Sequence, residues 1–371
     1  MSYEIIGSTR AELETMMEEM GEEAFRGRQL YNWVYKNLVF EVEEMTNLPC
    51  ELRNRIRREA SFTLPVLEKE SLSKDGTIKM LLGLADGQRI ETVIIPQTGG
   101  KRPRYTLCLS SQVGCPVGCP FCATGQSGFV RNLTVGEIVG QVLVGSLRLR
   151  EGQNLAETHA PSRLTNVVFM GMGEPFLNYD AVMKAIYLLN DPEGLNIGQR
   201  HITVSTAGEA TGIRRFAQEG LQVTLAVSLH SARDEVRERL VPLSRKYPLP
   251  ILREALRYYC AVTSRRVTLE YTLLDGINTS KKDALSLIGF VQGIHCNINL
   301  IPYNRVENTG FRRPSPTVVA RFQQWLREAG VNSVVREEKG SDIEGACGQL
   351  RAHHRVSSRA GRRNDSNDRM D

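Results

Sequence analysis

Residues Thr106–Ile138 read TLCLSSQVGCPVGCPFCATGQSGFVRNLTVGEI, and this stretch sets three kinds of local structure in a fixed order. Tyr105–Leu109 is a short apolar run of strand character. Glycines and prolines then interleave with Cys115, Cys119 and Cys122, which predicts a tightly wrapped loop. Thr134 with Glu137 fits a capping box, and Val135, Ile138, Val139, Val142 and Leu143 fall on one face of the helix it opens. The same strand, loop and helix rhythm continues outward. Strand-like runs recur at Asn166–Met170, His201–Ser205, Val223–Leu229, Val267–Leu274 and Asn297–Ile301, with helical patterns between them. Strands alternating with helices imply an α/β protein with a parallel sheet. Six units are too few for a closed eight-fold barrel, so a partial (β/α)6 barrel is expected. The cysteine loop then lies at the carboxyl end of the first strand, the face where such folds gather their active sites.

The spacing C-x3-C-x2-C narrows the chemistry. A structural zinc takes four ligands, and no second cysteine or histidine pair follows nearby. Cys119-Pro-Phe-Cys122 alone could be a redox C-x2-C, but Cys115 at its offset argues against it. An iron–sulfur cluster remains. Three protein thiolates on a cluster that normally takes four leave one iron open, as a catalytic metal requires. Gly171-Met172-Gly173-Glu174-Pro175 follows the second strand. Its glycines permit close backbone approach and Glu174 can pair with an ammonium group, although a helix-capping glutamate would look the same.

The rest of the chain supplies context. Of 371 residues, 47 are Lys or Arg and 42 are Asp or Glu, a net charge of +5 that is compatible with a polyanionic partner. Basic residues cluster at Arg53–Arg58, Lys101–Arg104, Arg312–Arg313 and Arg351–Arg363. No apolar run is long enough to span a membrane and the N-terminus lacks a signal-peptide pattern, so a cytoplasmic protein is expected. Residues 1–95 read as a separate accessory module. It has an aromatic, basic helix at Phe25–Asn37 with Trp33 in its core, a second helix over Leu48–Ala60, and short strands at Lys79–Leu84 and Arg89–Pro96 around an Asp86-Gly87 hairpin turn. Residues 96–350 form the main domain, and 351–371 are a polar, basic stretch expected to be disordered.

On these residues the chain resembles the radical S-adenosylmethionine superfamily. Thr106–Ile138, Val204–Gly208 (VSTAG), Val227–His230 (VSLH), Asn299–Asn304 (NLIPYN) and Gly345–Leu350 (GACGQL) narrow the resemblance to the RlmN family of adenosine C2 methyltransferases. Those enzymes methylate 23S rRNA, and many also modify adenosine 37 of some tRNAs. The resemblance implies a [4Fe-4S] cluster on Cys115, Cys119 and Cys122, and two S-adenosylmethionine molecules per turnover. It further implies cofactor contacts at Gly173, Glu174, Ser205, Ser228, Leu229, His230 and Asn304. Cys347 is implied as a methyl carrier, Cys108 as the thiol that resolves the protein–RNA adduct through a disulfide, and Glu91 as the proton acceptor. An electron donor such as flavodoxin or ferredoxin, a monomeric state and an RNA-binding N-terminal domain are implied as well. Cys50, Cys260 and Cys296 are left as structural residues. The Cfr-like methylation of adenine C8 shares the cysteine set and is the alternative, with a non-catalytic, metal-stabilised RNA-binding protein behind it.

Overall fold

The computed structural model describes residues 3–97, 104–155 and 163–351, without the side chains of 152–155. Lys101, Arg102 and the expected disordered tail beyond Arg351 lie outside the described residues. The main sheet has ten strands among them. Seven run parallel: Arg104–Cys108, Leu164–Phe169, Ile202–Thr206, Thr224–Ser228, Val267–Leu273, Cys296–Pro302 and Ser333–Val335. The first six are the strands expected from sequence; the short seventh was not foreseen. The residues that alternate with those lining the barrel cavity are β-branched or long aliphatics with almost no exposure, among them Val167, Val204, Leu225, Leu269 and Ile298, as a sheet face covered by helices requires.

The crossover helices read correctly. The first, Val135–Leu155, opens with the reciprocal cap: the Thr134 amide donates to Glu137 at 2.8 Å and the Glu137 amide to the Thr134 hydroxyl at 3.1 Å. Its apolar face, Ile138, Val139, Val142 and Leu143, is fully buried. From the same helix, Gln141 clasps the backbone of Ser110, accepting from its N–H and donating to its carbonyl, each at 2.9 Å. That clasp fixes the chain where it leaves the first barrel strand.

The N-terminal helices are Arg10–Glu19, Phe25–Tyr31 and Cys50–Glu59. Tyr31 and Tyr35 are the aromatic core there, whereas Trp33 is only half-buried and its indole N–H donates to Asn47 at 2.5 Å. Three antiparallel strands follow, Val66–Leu72, Ile78–Gly83 and Arg89–Gln97. The last pairs with the first barrel strand, so these strands continue the barrel sheet and do not form a sheet of their own with the N-terminal helices. No helix among the described residues is long and apolar enough to cross a membrane.

Candidate active site

The cysteine loop is an excursion closed at its base. Gln112–Gly114 pairs antiparallel with Phe129–Asn132, and the loop between carries Cys115, Cys119 and Cys122. Gly114 has φ +75°, and a Cβ there would collide with the Gly128 carbonyl. All three cysteines line one cavity at the carboxyl ends of the barrel strands. Burial pushes the Cys115 thiol up to about 12 and raises Cys119 and Cys122 as well. Such thiols stay protonated unless a cation compensates, and a coordinating metal deprotonates them outright. No set of His, Cys, Asp or Glu among the described residues is arranged to hold a single metal ion. Three cysteine thiols of one loop, all lining one cavity, are a donor set that fits an iron–sulfur cluster held by three corners.

Gly173, Glu174, Ser205, Ser228, His230 and Asn304 line the same cavity, each near the end of its strand. Glu174 is buried. Its carboxylate accepts from the amides of Phe176 at 3.2 Å and Ala207 at 2.6 Å, while its own amide donates to Gln112 at 2.8 Å. The helix-capping reading of Glu174 thus holds, and the carboxylate still faces the cavity. Burial pushes its pKa up to about 7 despite those donors, so a ligand ammonium would recover charge there. The Asn304 side-chain oxygen is buried without a hydrogen-bond partner, a poised acceptor. His230 has φ +55°, and its Nδ1 accepts from the Thr272 amide at 3.0 Å. Burial, with Arg237 nearby, pushes it down to about 3, so the ring is neutral. Leu229 does not line the cavity. Its carbonyl accepts from buried Arg237, which also donates to the Ala207 and Tyr247 carbonyls and so ties three loops together.

Cys347 also lines this cavity, on a C-terminal strap tied down on every side. Gly340 donates to Asp75 at 2.9 Å, and Ser73 donates to Asp342 at 2.6 Å. Asn304 donates to the Cys347 carbonyl at 3.2 Å, Ala123 to that of Gly348 at 2.8 Å and Thr124 to that of Leu350 at 2.6 Å. The Arg351 amide donates to Glu91 at 2.6 Å. Glu91 itself is buried in the strand Arg89–Gln97 and pairs with Lys79 at 3.3 Å. Its side chain lines neither this cavity nor the next.

A second cavity adjoins the first. Cys108, at the end of the first barrel strand, lines it together with Cys347, and Met170, Ile301, Asn304, Arg336 and Leu350 are common to both. Two charged residues at these cavities escaped the sequence reading. Glu270, at the first, sits in an otherwise uncharged strand, VTLEYTL, and that isolated charge was the available signal. Arg336 lies in a charged run, VREEKG, that reads as a solvated face.

A partial barrel with three cysteines at its mouth and a glycine cradle beside them defines a radical S-adenosylmethionine protein, and the superfamily model matches residues 109–288. Residues 3–62 match the ribosomal RNA large subunit methyltransferase N-terminal domain. A probable dual-specificity RNA methyltransferase RlmN of Syntrophomonas wolfei is 47% identical, covering 95% of this chain and 98% of its own length. Its namesake from Clostridium perfringens is 44% identical over 94% of this chain and 96% of its own length. The crystal structure of a radical SAM methyltransferase from Sphaerobacter thermophilus superposes with a TM-score of 0.88, at 45% identity, over 95% of this chain and all of that one. The chain belongs to the RlmN family, and with it come a [4Fe-4S] cluster and S-adenosylmethionine.

Proposed function

We propose that the chain is a radical S-adenosylmethionine RNA methyltransferase that methylates C2 of adenosine in 23S rRNA and tRNA, with Cys347 as the carbon carrier. The shared name of its relatives supports the substrate and the reaction. One observation carries the residue assignment: Cys347 borders both the cavity of the cluster cysteines and the cavity that holds Cys108. A single sulfur can therefore be loaded on one side and released on the other.

When bound on Cys115, Cys119 and Cys122, beside Gly173, Glu174, Ser205, Ser228, His230 and Asn304, the cluster and two S-adenosylmethionine molecules per turnover supply a methyl group and a 5′-deoxyadenosyl radical. Adenine C2 is electron-poor and does not attack a sulfonium methyl, but it accepts a carbon radical, so Cys347 presents the carbon as a thioether. Addition leaves one electron in excess on the adenine, which returns to the oxidised cluster. Glu91, which lines neither cavity and is assigned by the family resemblance, takes the C2 proton, with Lys79 and the Arg351 amide orienting its carboxylate. Cys108 attacks the Cys347 sulfur. The carbon–sulfur bond breaks as the disulfide forms, and the carbon leaves with the electron pair and takes a proton from water to complete the methyl group. An external dithiol then reduces the disulfide. On the RNA side, the helices of the 1–95 module offer exposed Arg57 and Arg58 to phosphates. The protein works in the cytoplasm as a monomer, with a flavodoxin- or ferredoxin-type electron donor.

Anaerobic turnover of the reconstituted enzyme with rRNA fragments and tRNA, followed by nucleoside mass analysis, tests this. The expected product is 2-methyladenosine. An 8-methyl product overturns the position, and the absence of both 5′-deoxyadenosine and methylated nucleoside overturns the enzyme. In parallel, Cys108→Ala accumulates a covalent protein–RNA adduct, and free product from that variant overturns Cys108 as the resolving thiol.

A further inference from the structure

The steps above leave one cation beside the two thiols without a task. Arg336 borders both cavities. Its backbone N–H donates to the Leu300 carbonyl at 2.8 Å, extending the ladder of the seventh parallel strand. Its guanidinium lies 4.0 Å from Glu270 Oε2 and 3.9 Å from the Met170 sulfur. Glu270 Oε1 accepts from Asn299 at 3.0 Å, while Oε2 is buried with no hydrogen-bond partner and faces the guanidinium. The other charged groups at the second cavity are Glu337, Glu338 and Lys339. Lys339 pairs with Glu337 at 3.5 Å and Glu338 with Arg313 at 2.5 Å.

We propose that Arg336, set in place by Glu270 and Asn299, is the positioning residue of the sulfur-exchange step, acting through Cys108 and Cys347; this rests on the reading given under Proposed function. In that step a Cys108 thiolate attacks the Cys347 sulfur, the carbon departs with the electron pair of the carbon–sulfur bond, and negative charge passes from one sulfur to the adenine-linked carbon. A guanidinium beside both sulfurs favours the thiolate before attack and the departing charge during it. The environment makes this necessary. Burial, and after it the neighbouring Cys347, push the Cys108 thiol up to about 12 even with Arg336 and the Met170 backbone pulling the other way. Conversely, Cys347, Glu270 and Cys108 each favour the charged form of Arg336.

The holoenzyme variants Arg336→Gln, Arg336→Lys and Glu270→Gln test it with three measurements. These are S-methylation of Cys347 by peptide mass, the covalent protein–RNA adduct on denaturing gels, and the pH profile of diamide-driven Cys108–Cys347 disulfide formation without RNA. Arg336→Gln is expected to methylate Cys347 and form the adduct, then to resolve it roughly ten- to a hundred-fold more slowly, the loss of one charge-assisted contact. Its disulfide profile shifts to higher pH, and Arg336→Lys recovers part of both. Glu270→Gln slows resolution in the same direction. Resolution at the wild-type rate in Arg336→Gln, or a stall before Cys347 is methylated, overturns the proposal. If Arg336→Gln does not fold, an unshifted disulfide profile in both Arg336→Lys and Glu270→Gln overturns it. Cys108→Ala run alongside separates the two readings: without an adduct there, the two-thiol mechanism fails, while the diamide profile still judges Arg336.

Discussion

At Gly173 the backbone has φ +107°, and a Cβ built there would stand 2.7 Å from the Ser111 hydroxyl and 2.8 Å from the Gln112 amide. Both neighbours are buried parts of the loop base that also holds the Glu174 amide, so they cannot give way cheaply. Gly173→Ala should cost about 1–3 kcal/mol in urea unfolding and weaken S-adenosylmethionine binding by displacing Glu174. Gly118→Ala is the control. Its φ is +70° but nothing lies within 4 Å of the added carbon, so only backbone strain of about 1 kcal/mol is expected. Equal losses in the two variants would refute the packing argument. At this scale the cysteines were legible because spacing alone restricts what three thiols in one loop can do. Cys108 and Cys347 were legible only through resemblance, since a buried strand cysteine and a loop cysteine have no local signature. Arg336 was not legible, because its partners Glu270, Cys108 and Cys347 are assembled by the closing of the sheet and not by neighbours in sequence.

The strap from Gly340 to Arg351 is held against the 73–77 turn by two carboxylates. Asp75 receives the amides of Gly340 and Thr77, each at 2.9 Å, and Asp342 receives the Ser73 hydroxyl. Burial pushes the Asp75 carboxyl up, but donors from Thr77, Gly340 and Ser73 outweigh it and hold it at about 2 against an ordinary 3.8. A carboxyl depressed in the folded state contributes its full stabilisation above the unfolded value, and that stabilisation is lost as pH falls through the folded one. The Asp75 contribution should therefore be constant above about pH 4 and vanish toward pH 2. Asp75→Asn should raise amide exchange across 341–351 roughly ten-fold at neutral pH, with the barrel strands unchanged; identical strap protection in wild type and variant would refute the latch. The elements themselves were largely legible where one period dominates, as in the capped helix Val135–Leu155 and the six apolar strands. Two strands of the main sheet were not. Val66–Leu72 (VLEKESL) is mostly exposed at the sheet's edge and carries no clean alternation. Ser333–Val335 is three residues long and pairs on one side only, so tertiary placement decides it.

Across the whole molecule, the N-terminal helices present charge while the barrel supplies chemistry. Much of the basic run is already engaged: Arg53 donates to the Glu43 carbonyl at 2.7 Å and Arg55 pairs with Glu59 at 3.1 Å. Arg57, although paired with Glu43, and Arg58 are exposed. Replacing both with Ala should weaken RNA binding without changing which nucleoside is methylated, and reduce the salt slope by about one to two; an unchanged slope in filter binding at several salt concentrations would refute the phosphate role. The tethering of the strap has a consequence in time. Thr124 of the cluster loop and Leu350 of the strap, hydrogen-bonded in the folded protein, are 226 residues apart in the chain. At translation rates of about 5–20 residues per second, the loop carrying Cys115, Cys119 and Cys122 leaves the ribosome roughly 10–45 s before the strap does. For that interval a growing chain has the three-cysteine loop without the strap that carries Cys347, so, on the proposed mechanism, synthesis itself delays the assembly of a competent site until the strap is made.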